Sequence, residues 1–425
     1  MIMVAVFIIC LALGVPIMAT IGMATIVPIF VDGIIPMTMV VQTLYTGVDQ
    51  FPLIAVTGFI LAGALMGTGG ITERIIEVAA SLVGGFAGGL ATVTIVACMF
   101  FAAISGSGPA TVAAIGGIML PGMFKRGYDR DFGAAVAASG GALGILIPPS
   151  NPMIIFGVVA SVSITQLFMA GLIPGLLIGV MMIGAGQLVS YKRKYVGSGE
   201  PFSARRVMAA VRRGKWALLA PVIILGGIYA GVFTPVEAAA VAVFYAFFVG
   251  VFVYRSLTWP GFLESLRVTA MTSGTVIVIV GIALSFGRLL TIYQIPQMVA
   301  EGLSAVSSDP IIVLFLIAIF LIVIGTFMET LAQIIILTPV FLPLVKSLGV
   351  DPIHFGVIFV VCCEIGFLTP PLGANLYVAM KQADVSLEAV SKAVLPFLAA
   401  LIVGLVPIIL FPSLSLFLPQ LLMGN

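Results

Sequence analysis

Leu143-Gly-Ile-Leu-Ile-Pro-Pro-Ser-Asn-Pro-Met153 and its near relative Ile365-Gly-Phe-Leu-Thr-Pro-Pro-Leu-Gly-Ala-Asn375 are the stretches on which the fold turns. Each is a Pro-Pro pair with apolar residues on both sides, and each follows a helix-compatible run. Proline has no N–H and clashes with the preceding turn, so each pair leaves carbonyls and amides without helical partners. In hydrocarbon such groups are tolerated only where they face protein, water or a bound solute. Two interruptions of this kind, in corresponding halves of a hydrophobic chain, point to the ion and solute site of a secondary transporter.

The rest of the composition agrees with a membrane setting. Of 425 residues, 61% are hydrophobic and only 8% charged, and the mean hydropathy is +1.30. Soluble domains carry about a quarter charged residues, so the expectation is an all-α polytopic membrane protein. Met1 runs straight into an apolar segment with no basic region before it, which argues against a cleaved leader. Cys10, Cys98, Cys362 and Cys363 lie inside apolar runs, and a single histidine accompanies them. That spacing suits no zinc site, so no cofactor is expected, and no metal beyond coupling ions. No Ser/His/Asp set, nucleotide-binding loop or paired intramembrane aspartate is present, and nothing suggests a nucleic-acid partner. An enzyme is therefore not expected.

Working outward from the breaks, residues 1–30 read as one span bent near Gly14 and Pro16, and 32–50 as a loop with a short helix. A span at 51–67 leads to an amphipathic arm at 68–80. Residues 86–104 and 110–124 flank Ser105-Gly-Ser-Gly-Pro109. Each flank is short of the ~20 residues needed to cross, so the pair reads as a re-entrant helical hairpin (86–124). The broken span 132–160 and a span at 166–190 follow. The most polar stretch, 192–215, reads as a basic cytoplasmic linker between two halves. Then come spans at 216–232 and 236–254, an amphipathic connection, a span at 268–288 and a second arm at 293–308. A second hairpin, 310–345, turns at Gly325-Thr-Phe-Met-Glu-Thr330, the second broken span covers 353–380, and 394–420 makes the last crossing. The expected division is a scaffold of 1–80 and 216–308 and a transport unit of 81–191 and 309–425.

Charge and repetition support this plan. With the hairpins entering from opposite sides, all of the 18 Lys and Arg except Arg288 and Lys346 fall on the cytoplasmic side, as the positive-inside rule requires. That topology places the N-terminus in the cytoplasm and the C-terminus in the periplasm. Leu120-Pro121 matches Leu342-Pro343, Gly144 matches Gly366, Pro148-Pro149 matches Pro370-Pro371, and Pro174 matches Pro396, every pair 222 residues apart. Inverted repeats with a midplane site are a recurring transporter plan.

Unwound carbonyls and hydroxyls at half-helix ends supply the several oxygens a hard cation needs. The tip Ser105-Gly-Ser107 is expected to face the break Gly144–Ser150, and Gly325-Thr326 to face Gly366–Leu372, including Thr369. Glycine there lets backbone approach an ion closely. Half-helix N-termini suit an anionic group, which makes Ser107, Ser150, Asn151, Thr326 and Asn375 the candidate solute contacts. The plainer reading is that these residues only pack and kink helices; four breaks in two matched pairs weigh against it. Glu237, Arg288, Glu329 and Glu364 are costly charges at membrane depth or near an interface. Arg288 reads better as a span end reaching headgroups than as a solute contact, and Glu329 divides evenly between a structural and a functional role.

Ser105-Gly-Ser-Gly-Pro-Ala-Thr-Val-Ala-Ala114, Ile147-Pro-Pro-Ser-Asn-Pro152, Phe233-Thr-Pro-Val-Glu-Ala238, Gly325-Thr-Phe-Met-Glu-Thr330 and Leu368-Thr-Pro-Pro-Leu-Gly373 together resemble the large membrane (M) subunit of tripartite ATP-independent periplasmic (TRAP) transporters. The resemblance covers essentially the whole chain. It implies an inverted-repeat elevator fold in the bacterial inner membrane, importing an organic acid anion of the C4-dicarboxylate or sialic acid class with sodium. It also implies a small four-helix membrane (Q) subunit, on a separate chain, and a periplasmic substrate-binding (P) protein. By the same resemblance one sodium falls to Ser105, Gly144, Ile147 and Pro148, the other to Gly325, Gly366, Thr369 and Leu372. Some sialic-acid members have a further serine three residues before the first tip, where this chain has Ala102. A stand-alone sodium–dicarboxylate carrier of the same repeat plan is the competing expectation.

Overall fold

The computed structural model describes residues 2–33, 36–85, 88–195, 203–371 and 373–424, and among them the only regular elements are helices. Six are long and apolar enough to cross a membrane: Arg130–Ala160 taken across its break, Ile164–Lys192, Pro235–Val253, Trp259–Ile292, Thr330–Ser347 and Leu387–Leu410. Met37–Val48 and Leu53–Thr68, bent by 50° at Asp49–Pro52, make a seventh if counted as one span.

Both hairpins are present. Gly89–Ser105 runs down to Gly106, which turns at φ +60°, and the chain returns through Gly108–Thr111, a π-turn at Val112–Gly116 and Gly117–Lys125. The legs are antiparallel: the Ser105 and Thr111 hydroxyls are 3.0 Å apart near the tip, and the Thr94 hydroxyl lies 3.7 Å from Met123 Sδ near the base. Pro310–Gly325 and Thr330–Ser347 form the second hairpin, where Gln333 Nε2 donates to the Leu321 carbonyl at 2.6 Å and Phe320 meets Phe341 edge-on. Both spans break where proline requires it, into Arg130–Leu146 and Asn151–Ala160, and into Pro352–Phe367 and Ala374–Ala383.

The halves interlock. Asn151–Ala160, from the first broken span, packs on Thr330–Ser347 of the second hairpin. Ala374–Ala383, from the second, packs on Arg130–Leu146 and on the return leg of the first hairpin. Phe156 locks the crossing against Phe355 and Phe359. Outside this bundle, Leu53–Thr68 packs on Pro235–Phe248 and Trp259–Ile292 through small residues. A Cβ at Gly58 would lie 2.8 Å from Ala239, and, where Trp259–Ile292 crosses Met37–Val48, one at Gly281 would lie 2.7 Å from Val48, the close approach that small residues give membrane helices.

Four expectations are corrected. Residues 1–30 are not one bent span: Ile2–Ala12 and Ile17–Asp32 fold back on each other about Gly14, bringing Cys10 Sγ within 4.0 Å of Met23 Sδ. The linker 192–215 is helical from Ala204, because Ala, Arg and Lys are good helix formers; Ala204–Tyr229 is continuous and Arg213 reaches Glu77 of the arm Ile71–Val83 at 2.6 Å. The connection and span before 288 are one helix, Trp259–Ile292. The last crossing is Leu387–Leu410, followed by a separate helix Ser413–Met423 laid along Ile164–Lys192.

One polar cluster ties three elements at the base of the bundle. Arg193 donates to both oxygens of Asp131 at 3.1 Å and to Asp129 at 2.9 Å, and the Tyr195 hydroxyl donates to Asp129 at 2.7 Å. Tyr195 stacks on Tyr128, and burial followed by its bond to Asp129 holds its hydroxyl protonated above the usual range. Arg130 extends the cluster to the Ala383 carbonyl at 3.1 Å. The bidentate geometry and the network make this pair stronger than an isolated surface bridge. Arg193→Ala is expected to cost about 1 kcal/mol, a fall of a few degrees in the melting temperature of the purified protein. Asp131→Asn should do the same, and the double variant should lose less than the two singles added together.

Candidate functional site

Pro148 and Pro149 carry no N–H, so the carbonyls four residues earlier, at Gly144 and Ile145, have no helical donor. The chain leaves the helix at Ile147 in an extended conformation and re-enters it at Ser150, whose hydroxyl caps the Met153 N–H at 3.4 Å. The first hairpin tip closes on this gap. Asn151 donates its N–H to the Gly106 carbonyl at 3.2 Å, and a Cβ at Gly144 would lie 2.8 Å from the Ser107 carbonyl and 2.5 Å from Thr111 Oγ1. Ser105 and Thr111 share a hydrogen bond beside it. Ser105, Gly144, Ile147 and Pro148 are all buried at this junction. Thr111 belongs to the same quoted motif, yet only the fold-back of the return leg reveals its place.

The second junction is tighter at the backbone. A Cβ on Gly366 would lie 2.6 Å from the Gly325 Cα, so the hairpin and the broken span touch glycine to glycine. Here the Gly366 carbonyl accepts the Thr369 N–H at 2.9 Å, and the Thr369 hydroxyl donates to the Ile365 carbonyl at 2.6 Å, leaving its lone pairs free. Leu372 lies outside the described residues. Gln333 Oε1 and both carboxylate oxygens of Glu364 are buried here without a hydrogen-bond partner.

A cavity of about 550 Å³ opens between the two tips and the helices Leu53–Thr68 and Trp259–Ile292. Ser105, Ser107 and Asn151 line it from the first half, Glu329 and Thr330 from the second, and Thr68 and Ser265, which share a 3.2 Å hydrogen bond, from the outer helices. Its charged lining residues are Glu264 and Glu329; no Lys, Arg or His lines it among the described residues.

Of the expected solute contacts, Ser107 and Asn151 line the cavity and Ser150, Thr326 and Asn375 do not. Ser150 is spent as a cap, and Thr326 bonds back to the Val323 carbonyl at 2.8 Å. Asn375 is fully buried against Gly108 and Gly141 with neither amide atom bonded. Arg288 is exposed and away from the cavity. Glu237 completes a capping box with Thr234, whose N–H it accepts at 2.8 Å; Thr234-Pro-Val-Glu237 is the sequence signature of that box. Glu329 and Thr330 enter as cavity residues through the N-cap that Glu329 forms on Thr330–Ser347.

The Gly325–Gly366 contact is testable by substitution. Gly366→Ala places a methyl against the Gly325 backbone, which overpacking costs put at about 1–3 kcal/mol. The expected result is a clear loss of folded yield and melting temperature. Gly122→Ala, where a Cβ meets nothing within 4 Å, should leave both unchanged.

Comparison with known proteins gives concordant matches. The family model described as "Tripartite ATP-independent periplasmic transporter, DctM component" matches residues 4–414. The isethionate TRAP transporter permease protein DctMQ of Oleidesulfovibrio alaskensis is 45% identical over 97% of the chain, which spans 65% of that longer protein. The C4-dicarboxylate TRAP transporter large permease protein DctM of Pseudomonas aeruginosa is 43% identical, with 88% of the chain and 87% of the relative covered. Among solved structures, the Alcanivorax borkumensis YdaH transporter superposes with a TM-score of 0.63 at 15% identity, covering 87% of each chain. That likeness concerns the fold alone. The two permeases are transporter components, not enzymes.

Proposed function

The chain belongs to the DctM component of the tripartite ATP-independent periplasmic transporters, and from that premise we propose that it imports an organic acid anion across a bacterial inner membrane, driven by sodium. The observation that carries this reading is a cavity lined, among the described residues, by no basic side chain and set between two junctions where a hairpin tip lies backbone against backbone on a proline-broken span. An anion entering an uncharged or acidic cavity at membrane depth needs a countercharge. Sodium at the junctions provides it: one ion at Ser105, Gly144, Ile147 and Pro148, the other at Gly325, Gly366 and Thr369, with Leu372 completing the set. Ser107 and Asn151 then contact the solute directly. The solute is an organic acid, the class spanned by the isethionate, C4-dicarboxylate and sialic acid of the relatives' names.

The cavity lies where the interlocked bundle, 81–191 and 309–425, meets the helices of 1–80 and 216–308. Movement of the bundle past those helices, in the manner of an elevator, would expose the cavity to each side in turn. A small membrane subunit braces the outer helices, and a periplasmic binding protein delivers the solute. The basic residues of 192–215 face the cytoplasm and the C-terminus the periplasm. The fold-back of Ile2–Ala12 on Ile17–Asp32 removes the single crossing on which a cytoplasmic N-terminus rested.

The test is uptake of labelled organic acids into proteoliposomes holding the complete complex and its binding protein, with sodium varied. Loss of one oxygen ligand costs about 1 kcal/mol, so Ser105→Ala and Thr369→Ala should each raise the half-saturating sodium roughly fivefold. Uptake indifferent to sodium in the parent, or an unchanged sodium requirement in both variants, would overturn the assignment.

A further inference from the structure

The two ends of the cavity differ in a way that selects among anions, and this step rests on reading the cavity as the solute site. Ser107 stands at the first tip, half-buried, its hydroxyl capping nothing. Beside it Asn151, only 6% exposed, has its Oδ1 unpaired. A side-chain amide and a hydroxyl can both turn donors toward an anionic head. At the second tip the corresponding space is already taken. Glu329 Oε2 accepts the N–H groups of Leu331 at 3.0 Å and Ala332 at 3.2 Å, so the positive end of Thr330–Ser347 is satisfied by the chain's own carboxylate.

The other oxygen of Glu329 makes no hydrogen bond and the residue is partly exposed on the cavity wall. Thr330, 2% exposed, leaves its Oγ1 unpaired next to it. The mouth carries a further carboxylate, Glu264, paired at 3.8 Å with Arg267. The unpartnered, buried Thr330 hydroxyl oxygen and the fixed carboxylate of Glu329 therefore present acceptors where a second anionic group of a solute would come. Like charges at such a distance repel strongly even at an intermediate dielectric.

We propose that Glu329 makes this permease selective for single-headed anions: an acid with one carboxylate or sulfonate and, at the far end, a hydroxyl or ammonium that donates to Glu329 and Thr330. Glu329 thus acts as a specificity-determining residue, and dicarboxylates of equal length are disfavoured.

The experiment is sodium-dependent binding to the purified membrane complex, without the binding protein, using matched probes. γ-Hydroxybutyrate is compared with succinate, and isethionate with sulfoacetate. The parent should favour the hydroxylated member of each pair by at least about tenfold. Glu329→Asn keeps an N-cap while removing the charge, and should collapse the preference to about threefold or less, chiefly by strengthening the dianion. Glu329→Gln should move it the same way. A parent that prefers the dianions, or a preference untouched in both variants, overturns the inference while leaving sodium-coupled transport standing. Failure of all four probes to bind in sodium removes the solute-site reading and this inference with it.

Discussion

A carbonyl stripped of its donor at membrane depth has to find another partner, and this one constraint organises the molecule. Pro148-Pro149 removes the helical donor four residues back, at Gly144 and Ile145, and Pro370-Pro371 does so at Gly366 and Phe367, where the Gly366 carbonyl takes the Thr369 N–H instead. A hairpin tip is brought to each gap, and glycine makes that approach possible. The Gly106 carbonyl receives the Asn151 N–H, and Gly325 abuts Gly366 so closely that a methyl on Gly366 would force the hairpin off the broken span. The prolines and glycines of the two halves are thus one device: the first opens the backbone, the second lets another backbone lie against the opening.

The two halves share this backbone device and differ in their side chains. Interlocked packing of Asn151–Ala160 on the second hairpin, and of Ala374–Ala383 on the first, makes the bundle a single body that neither half could complete alone. Within it the first tip enters its return helix at Ser107 with no side-chain cap, whereas the second satisfies its helix end with Glu329. A duplicated scaffold can hold two cation positions of similar geometry and still present a solute with unlike walls, because capping and charge are set by single residues that the repeat does not constrain.

The breaks, the tips and the 222-residue offset were legible because proline and glycine act locally and leave the same mark wherever they stand. Other features depend on partners far along the chain. Residues 1–30 are apolar throughout, so nothing in their pattern distinguishes one bent crossing from two helices folded together; the contact of Cys10 with Met23 decides it. The charges of 192–215 suggest a linker, yet the same arginines and lysines favour helix, and the arm's Glu77 gives Arg213 a partner. Thr326 and Asn375 stand beside breaks as expected, but the direction of a side chain relative to a cavity is fixed by helix phase. At Thr326 that phase favours a bond to its own helix, and at Asn375 burial against Gly108. Glu237 is a different case: its capping box is written in four consecutive residues, though from sequence alone it reads only as a charge at membrane depth or near an interface.

The seams around the cavity bear on the proposed motion. Where the outer helices meet one another, residues interdigitate: Gly58 lies under Ala239, and Gly281 under Val48 and Leu44. Displacing such a seam would require repacking a dense interior. Where they meet the first hairpin, the contact is made at small residues: a Cβ at Gly63 would lie 3.0 Å from the Ser105 Cα, and Gly63, Ala64, Gly67, Ala110, Ala113 and Ala114 line the cavity beside it. A contact made of backbone and methyl groups has few knobs to lift out of holes, so it resists translation less than the seams behind it. On the proposed motion, the surface that gives way lies against the first hairpin tip, and an added methyl at Gly63 would press on the Ser105 backbone there.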